Sequence, residues 1–104
     1  QEPEPGYEEQ VFFHTPKTEK DGTATAALFN PELAFGIRLR WSAETLPILT
    51  QWKMMGSGEY VCGLEPSTHA MAPWADLVKR ELPRVLQPGE AVTYELNLNI
   101  IFAL

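Results

Sequence analysis

A chain of 104 residues is long enough for one domain and too short for two. Its hydrophobic content of 44% excludes wholesale disorder, and its net charge of −6 makes nucleic acid and anionic membrane surfaces poor partners, since both need basic residues in excess. No stretch approaches the roughly 20 apolar residues that span a bilayer, and the lone cysteine, Cys62, excludes an internal disulfide framework and fits a reducing compartment, so a cytoplasmic location is expected.

Residues 1–21 carry six acids (Glu2, Glu4, Glu8, Glu9, Glu19 and Asp21) against Lys17 and Lys20. Within this acidic N-terminal segment lies Gln10-Val11-Phe12-Phe13-His14, bracketed by Pro3, Pro5 and Pro16. Two readings stand: a partly mobile acidic lead, or an edge strand. Residues 22–104 form the β-rich body. Asp21-Gly22 signals a tight turn, and Thr23 to Phe29 reads as a strand that Asn30-Pro31 breaks. Phe35, Ile37, Leu39 and Trp41 alternate with Gly36, Arg38 and Arg40, a period of two that predicts a half-buried strand with two arginines on its other face. Leu46 to Met55 is a third candidate, with Pro47 near its start, where a missing N–H does least harm. Gly56-Ser57-Gly58 suits a hairpin turn, and Tyr60 to Leu64 leads into Glu65-Pro66. A residue before proline is pushed to extended geometry, so Glu65 should stay on the strand line. Only Ser67 to Leu82 has helical spacing: Trp74, Leu77, Val78 and Glu81 predict a short helix near 73–82, opened by Pro73 and stopped by Pro83. Gln87-Pro88-Gly89-Glu90 is a turn. Val92, Tyr94, Leu96, Leu98 and Ile100 then share one face of a last strand. Five or six strands without helix–strand alternation predict an all-β, antiparallel sheet protein.

The chemistry narrows to few residues. No glycine-rich phosphate loop follows a strand and no Cys or His pair has zinc spacing, so neither metal nor cofactor is expected. Cys62, inside an apolar strand, reads as an inert thiol. Glu65 is the most informative polar residue. It should share a face with Val61 and Gly63 and is either solvent-facing or held in a cleft; Gly63 beside it leaves room for a ligand. Trp41, Trp52 and Trp74 could each stack on the C–H face of a sugar ring or fill a core. Gln51 and Lys53 flank Trp52 on the opposite strand face. Arg38 and Arg40 could hold hydroxyls or an acidic sugar, or be a solvated strand face. His14 follows two phenylalanines. His69 lies just past the Glu65-Pro66 corner and could approach the carboxylate. Either histidine could act as an acid or base near neutrality.

Residues 46–56, Leu-Pro-Ile-Leu-Thr-Gln-Trp-Lys-Met-Met-Gly, and 58–66, Gly-Glu-Tyr-Val-Cys-Gly-Leu-Glu-Pro, resemble a bacterial family of aldose-1-epimerase-like proteins. So do residues 5–14, Pro-Gly-Tyr-Glu-Glu-Gln-Val-Phe-Phe-His, and Leu86-Gln87-Pro88-Gly89-Glu90 with its closing strand. More distantly, 61–65 through 86–90 is similar to the closing part of galactose mutarotases. That resemblance implies a large antiparallel β-sandwich, the galactose-mutarotase-like supersandwich, of which residues 1–104 would be the C-terminal portion of one domain. It puts Glu65 at the catalytic base position; residue chemistry, apart from the resemblance, adds Trp52, Gln51, Lys53, Arg38, Arg40, His69 and His14 as candidate sugar-binding residues. The chain opens at Gln1 without an initiating methionine, which fits such a portion, and the family's acid-donating histidine falls upstream. The sequence departs from the family after Glu65. Relatives carry Pro-Ala-Asn-Cys and then Gly-Arg, whereas here stands Pro66-Ser67-Thr68-His69.

The activity implied is mutarotation. Glu65 would take the anomeric hydroxyl proton while an upstream histidine protonates the ring oxygen, without metal or cofactor. The expected partners are a small-molecule sugar and the N-terminal part of the same sandwich. Alternatives are a sugar-binding module of the same fold without catalysis, and an inactive structural piece that forms homo-oligomers through its open strand edges.

Overall fold

A computed structural model describes residues 1–104. Six strands and one short helix follow in the order β1 (Gln10–His14), β2 (Thr23–Asn30), β3 (Phe35–Ser42), β4 (Ile48–Gly56), β5 (Glu59–Ser67), α1 (Trp74–Lys79) and β6 (Leu96–Ile101). They form two three-stranded sheets, β1-β4-β5 and β2-β3-β6, and every strand pairing is antiparallel. The all-β antiparallel expectation and the one short helix both hold. No helix is long and apolar enough to cross a membrane.

Local chemistry explains the turns. β4 and β5 are joined by Ser57-Gly58 alone, with Gly56 opposite Glu59. Gly58 sits at φ +85°, where a side chain would be strained. Between β2 and β3 the Asn30 side-chain oxygen accepts hydrogen bonds from the Glu32 and Leu33 amides, turning the chain where the Asn-Pro pair predicts a break. Asp21 does the same at the start of β2, accepting from the Thr23 amide at 3.0 Å.

Of the two readings of residues 1–21, the chain takes the edge strand. β1 lies along β4 with Val11 opposite Trp52. The segment is tied down further. Glu4 exchanges backbone hydrogen bonds with Met55 and Ser57, Lys53 donates to the Gln1 side chain, and Tyr60 donates to the Gln1 carbonyl.

Two elements are shorter than their patterns predict. α1 ends at Lys79 because Arg80 leaves the helix and Glu81 turns to φ +55°. The Leu82 amide then reaches back to the Leu77 carbonyl and that of Glu81 to Val78, a Schellman closure made without glycine. β6 begins at Leu96 and not at Val92. Its pairing to β3 ends where Leu96 meets Trp41, so Val92 to Glu95 have alternation but no ladder to join.

The β2-β3-β6 sheet has one apolar face. In register across it run Ala24, Trp41 and Leu96, then Ala26, Leu39 and Leu98, then Leu28, Ile37 and Ile100. One end of this face is closed. Ala24, Leu39, Trp41 and Leu46 form a buried cluster, with Ala26, Ala43 and Leu49 packed on it, and the Trp41 indole N–H donates to the Leu46 carbonyl at 2.9 Å. The other end is open: Leu28, Leu98 and Ile100 are about half exposed, and Phe35 and Phe102 stack edge-on at 6.3 Å beside them.

Only nine residues are buried in the whole chain. The radius of gyration is 16.4 Å, where a compact domain of this length has about 13 Å. The accessible surface of 7862 Å² exceeds by about 2,000 Å² what a compact monomer of this mass exposes. Residues 1–104 therefore build sheets whose faces are not closed by one another.

Candidate functional site

β5 presents Glu65 near its end, and its pairing with β4 runs past Glu65 to Ser67 despite Pro66. Antiparallel partners share a face. Glu65 lies opposite Thr50, Gly63 opposite Trp52, and Trp52 opposite Val11. One face of the β1-β4-β5 sheet therefore carries Glu65, Gly63, Thr50 and Trp52 together.

Gly63 shapes this face. A β-carbon at that position would lie 2.5 Å from Glu65 Oε1 and 3.4 Å from Trp52 Cβ. The carboxylate thus folds back over the bare glycine toward the tryptophan. Beneath it, Thr50 is buried and its hydroxyl is 3.0 Å from that of Ser67, which donates its own proton to the Glu65 carbonyl at 2.9 Å. Ser67 has one proton, so Thr50 is the donor between them. This chain of hydroxyls anchors the backbone of the strand end that holds the acid. The carboxylate itself is exposed, and neither of the ion pairs, Arg40–Glu19 and Arg84–Glu90, involves it.

Trp52 is half-buried, and its indole N–H donates to Glu9 Oε2 at 2.8 Å. The arrangement joins an apolar ring, a bare backbone position and a free carboxylate, the elements needed to grip a polyol ring and take a proton from it.

The other expected site residues are placed elsewhere. Gln51 and Lys53 occupy the opposite face of β4, as the alternation predicts. His14 is there too, its Nε2 3.1 Å from Gln51 Oε1 and its ring stacked near Phe12. His69 donates from Nδ1 to the carbonyl of Ala70 and does not hydrogen-bond to Glu65. Arg38 and Arg40 belong to the other sheet, on its polar face beside Asn97 and Asn99. Arg40 lines a hollow of about 360 Å³ with Thr23, Ser42, Glu95, Asn97 and Asn99, and pairs with Glu19 at 3.5 Å. Glu65 does not line that hollow. Of the tryptophans, Trp41 is core, Trp74 is 70% exposed on α1, and Trp52 alone adjoins Glu65. Cys62 is a free, half-buried thiol.

Glu9, Thr50 and Ser67 were not singled out by sequence pattern. Their roles depend on which strand lies beside which, and that is a property of the pairing. No group of three or more His, Cys, Asp or Glu side chains is arranged to hold a metal ion.

Comparison with known proteins places this fold in a class: antiparallel β-sheets of the aldose-epimerase type. The structure superposes with a TM-score of 0.88 on the crystal structure of a putative aldose 1-epimerase from Klebsiella pneumoniae, 28% identical, over 97% of this chain and 27% of that one. The chain belongs to the family described as a domain of unknown function, DUF4432, whose model matches residues 1–100. No curated protein matches it. The chain spans about a quarter of the length of its structural neighbour.

Proposed function

We propose that residues 1–104 are part of one sugar-binding, aldose 1-epimerase-like sandwich, in which Glu65 is the general base that interconverts sugar anomers. The observation that carries this reading is the Glu65 carboxylate folded over Gly63 next to Trp52, in a chain similar to a protein described as a putative aldose 1-epimerase. In the reaction, Glu65 takes the anomeric O–H proton. The C1–ring-oxygen bond breaks, its electron pair goes to the ring oxygen, and that oxygen accepts a proton from an acid outside residues 1–104. Rotation about C1–C2 and the reverse steps give the other anomer. A well-placed base contributes about 100- to 10,000-fold to such a step. The substrate is a small-molecule aldose, and the reducing compartment suggested by the free Cys62 is the cytoplasm.

In the full-length protein, Glu65→Gln should cut anomer exchange by at least about 100-fold, followed by polarimetry or NMR exchange. An unchanged rate removes Glu65 from the mechanism. The alternative reading is a sugar-binding module of the same fold without catalysis. His14 lies on the far side of the sheet and His69 is bonded to Ala70, so residues 1–104 supply a base without an acid partner. Sugar binding without exchange in the full-length protein would select it.

A further inference from the structure

The row Glu9–Trp52–Gly63–Glu65 runs from the residue just before β1 across β4 to β5. Val11, Trp52 and Gly63 are consecutive register partners on β1, β4 and β5. Glu9 stands two residues before Val11, so its side chain emerges toward the same face. The pairing of β1 to β4 is what brings Glu9, 43 residues away in sequence, to the Trp52 indole at 2.8 Å. An indole on a half-exposed sheet face has two torsions to settle. Its N–H donating to a carboxylate restricts both, because Nε1 lies off the side-chain axis and moves when either torsion turns. The ring is then held on the side of Gly63 that faces β1, while the Glu65 carboxylate lies over Gly63 itself. An acceptor that is ionised makes this hydrogen bond stronger than a neutral one would, and its second oxygen, Oε1, stays free at the rim. We infer that Glu9 is a positioning residue of the sugar site: it holds the Trp52 indole as the wall against which a sugar ring stacks beside Glu65. This rests on the sugar-binding reading proposed above.

The inference separates Glu9 from Glu65 by role. Glu65 acts on the anomeric proton and should govern turnover. Glu9 acts through Trp52 and should govern sugar affinity. The test uses the full-length protein and titrates it with D-galactose and D-glucose while following the Trp52 indole N–H resonance, assigned with Trp52→Phe. In the unaltered protein that resonance should lie downfield, as for an N–H donating to a carboxylate, and move as sugar is added. Glu9→Ala should return it upfield and weaken sugar binding about tenfold, because the indole must then be ordered when the sugar binds. Glu9→Gln keeps an acceptor and should recover most of that loss. Where anomer exchange is measurable, Glu9→Ala should raise KM and leave most of kcat, the reverse of Glu65→Gln.

Sugar binding equal in Glu9→Ala and the unaltered protein overturns the inference, as does a Trp52 resonance indifferent to saturating sugar. Should Glu9→Ala fail to fold, Glu9→Leu, which keeps side-chain bulk and removes the acceptor, decides by the same titration: unchanged sugar binding overturns the inference. If Glu65→Gln leaves exchange intact while Glu9→Ala still loses affinity, the base assignment fails and the role of Glu9 stands.

Discussion

At the scale of the residue, the site depends on one missing side chain. Gly63 has an ordinary backbone conformation, so alanine there costs no left-handed strain. Its methyl would, however, occupy the place of Glu65 Oε1. The exposed carboxylate should swing aside, leaving stability within about 1 kcal/mol of the parent. If Glu65 is the base proposed above, displacing it by an ångström or so costs much more in rate than in folding, so Gly63→Ala in the full-length protein should slow anomer exchange by about 10- to 100-fold. Thermal melts and exchange rates on the same variant check both halves. A second prediction concerns pH. The Thr23 amide, donating to Asp21, holds that carboxyl below its ordinary value of 3.8. A depressed carboxyl contributes stability that is fully present above its unfolded value and lost as pH falls through the folded one. The stability advantage of the parent over Asp21→Asn should therefore be steady near neutrality and shrink below about pH 4, read by urea melts at pH 6 and pH 3.

At the scale of the element, β3 shows how alternation becomes energy. Its odd positions from Phe35 to Trp41 face the apolar side of the sheet, and Trp41 is the most deeply buried tryptophan, 3% exposed. Its indole N–H satisfies the Leu46 carbonyl across the turn that leaves β3. Trp41→Phe removes that donor from a buried acceptor and opens space around Leu39, and should destabilise by about 2–4 kcal/mol. Trp74, on the open side of α1, touches too little to matter, so Trp74→Ala should cost less than about 0.5 kcal/mol. Comparison of the two melting temperatures checks the contrast. The short helix makes the complementary point: Leu77 alone of its apolar residues is buried, so the helix has one anchor and ends within two turns.

At the scale of the whole molecule, the open apolar end of the β2-β3-β6 sheet is the dominant feature. Leu28, Leu98, Ile100, Phe35 and Phe102 together present a continuous apolar surface at the edge strand β6 and its neighbours. The surplus of about 2,000 Å² of exposed surface exceeds the roughly 800 Å² that one partner contributes to a standard interface. Its natural complement is another sheet of the same sandwich, as proposed for the longer polypeptide. Residues 1–104 on their own should fill it with further copies of themselves. Light scattering on size-exclusion chromatography should find oligomers, and Leu98→Lys with Ile100→Lys should shift them toward monomer. A monodisperse monomer of the parent chain would count against this account.

Much of this was legible in the chain. The period of two in β3, the Asp-Gly and Asn-Pro breaks, the Gly58 turn and the extended geometry before Pro66 are local, and local sterics act on neighbours in sequence. That Glu65 shares a face with Gly63, and that Gln51 and Lys53 face away from Trp52, follow from alternation alone. Which strands become neighbours is not local. The partition into two sheets, which sets Arg38 and Arg40 apart from Glu65, and the pairing of β1 with β4, which brings Glu9 to Trp52, are settled by burial and ladder hydrogen bonds between segments far apart in the chain. The same holds for the end of β6: alternation continues to Val92, but a strand exists only where a partner offers its N–H and C=O groups.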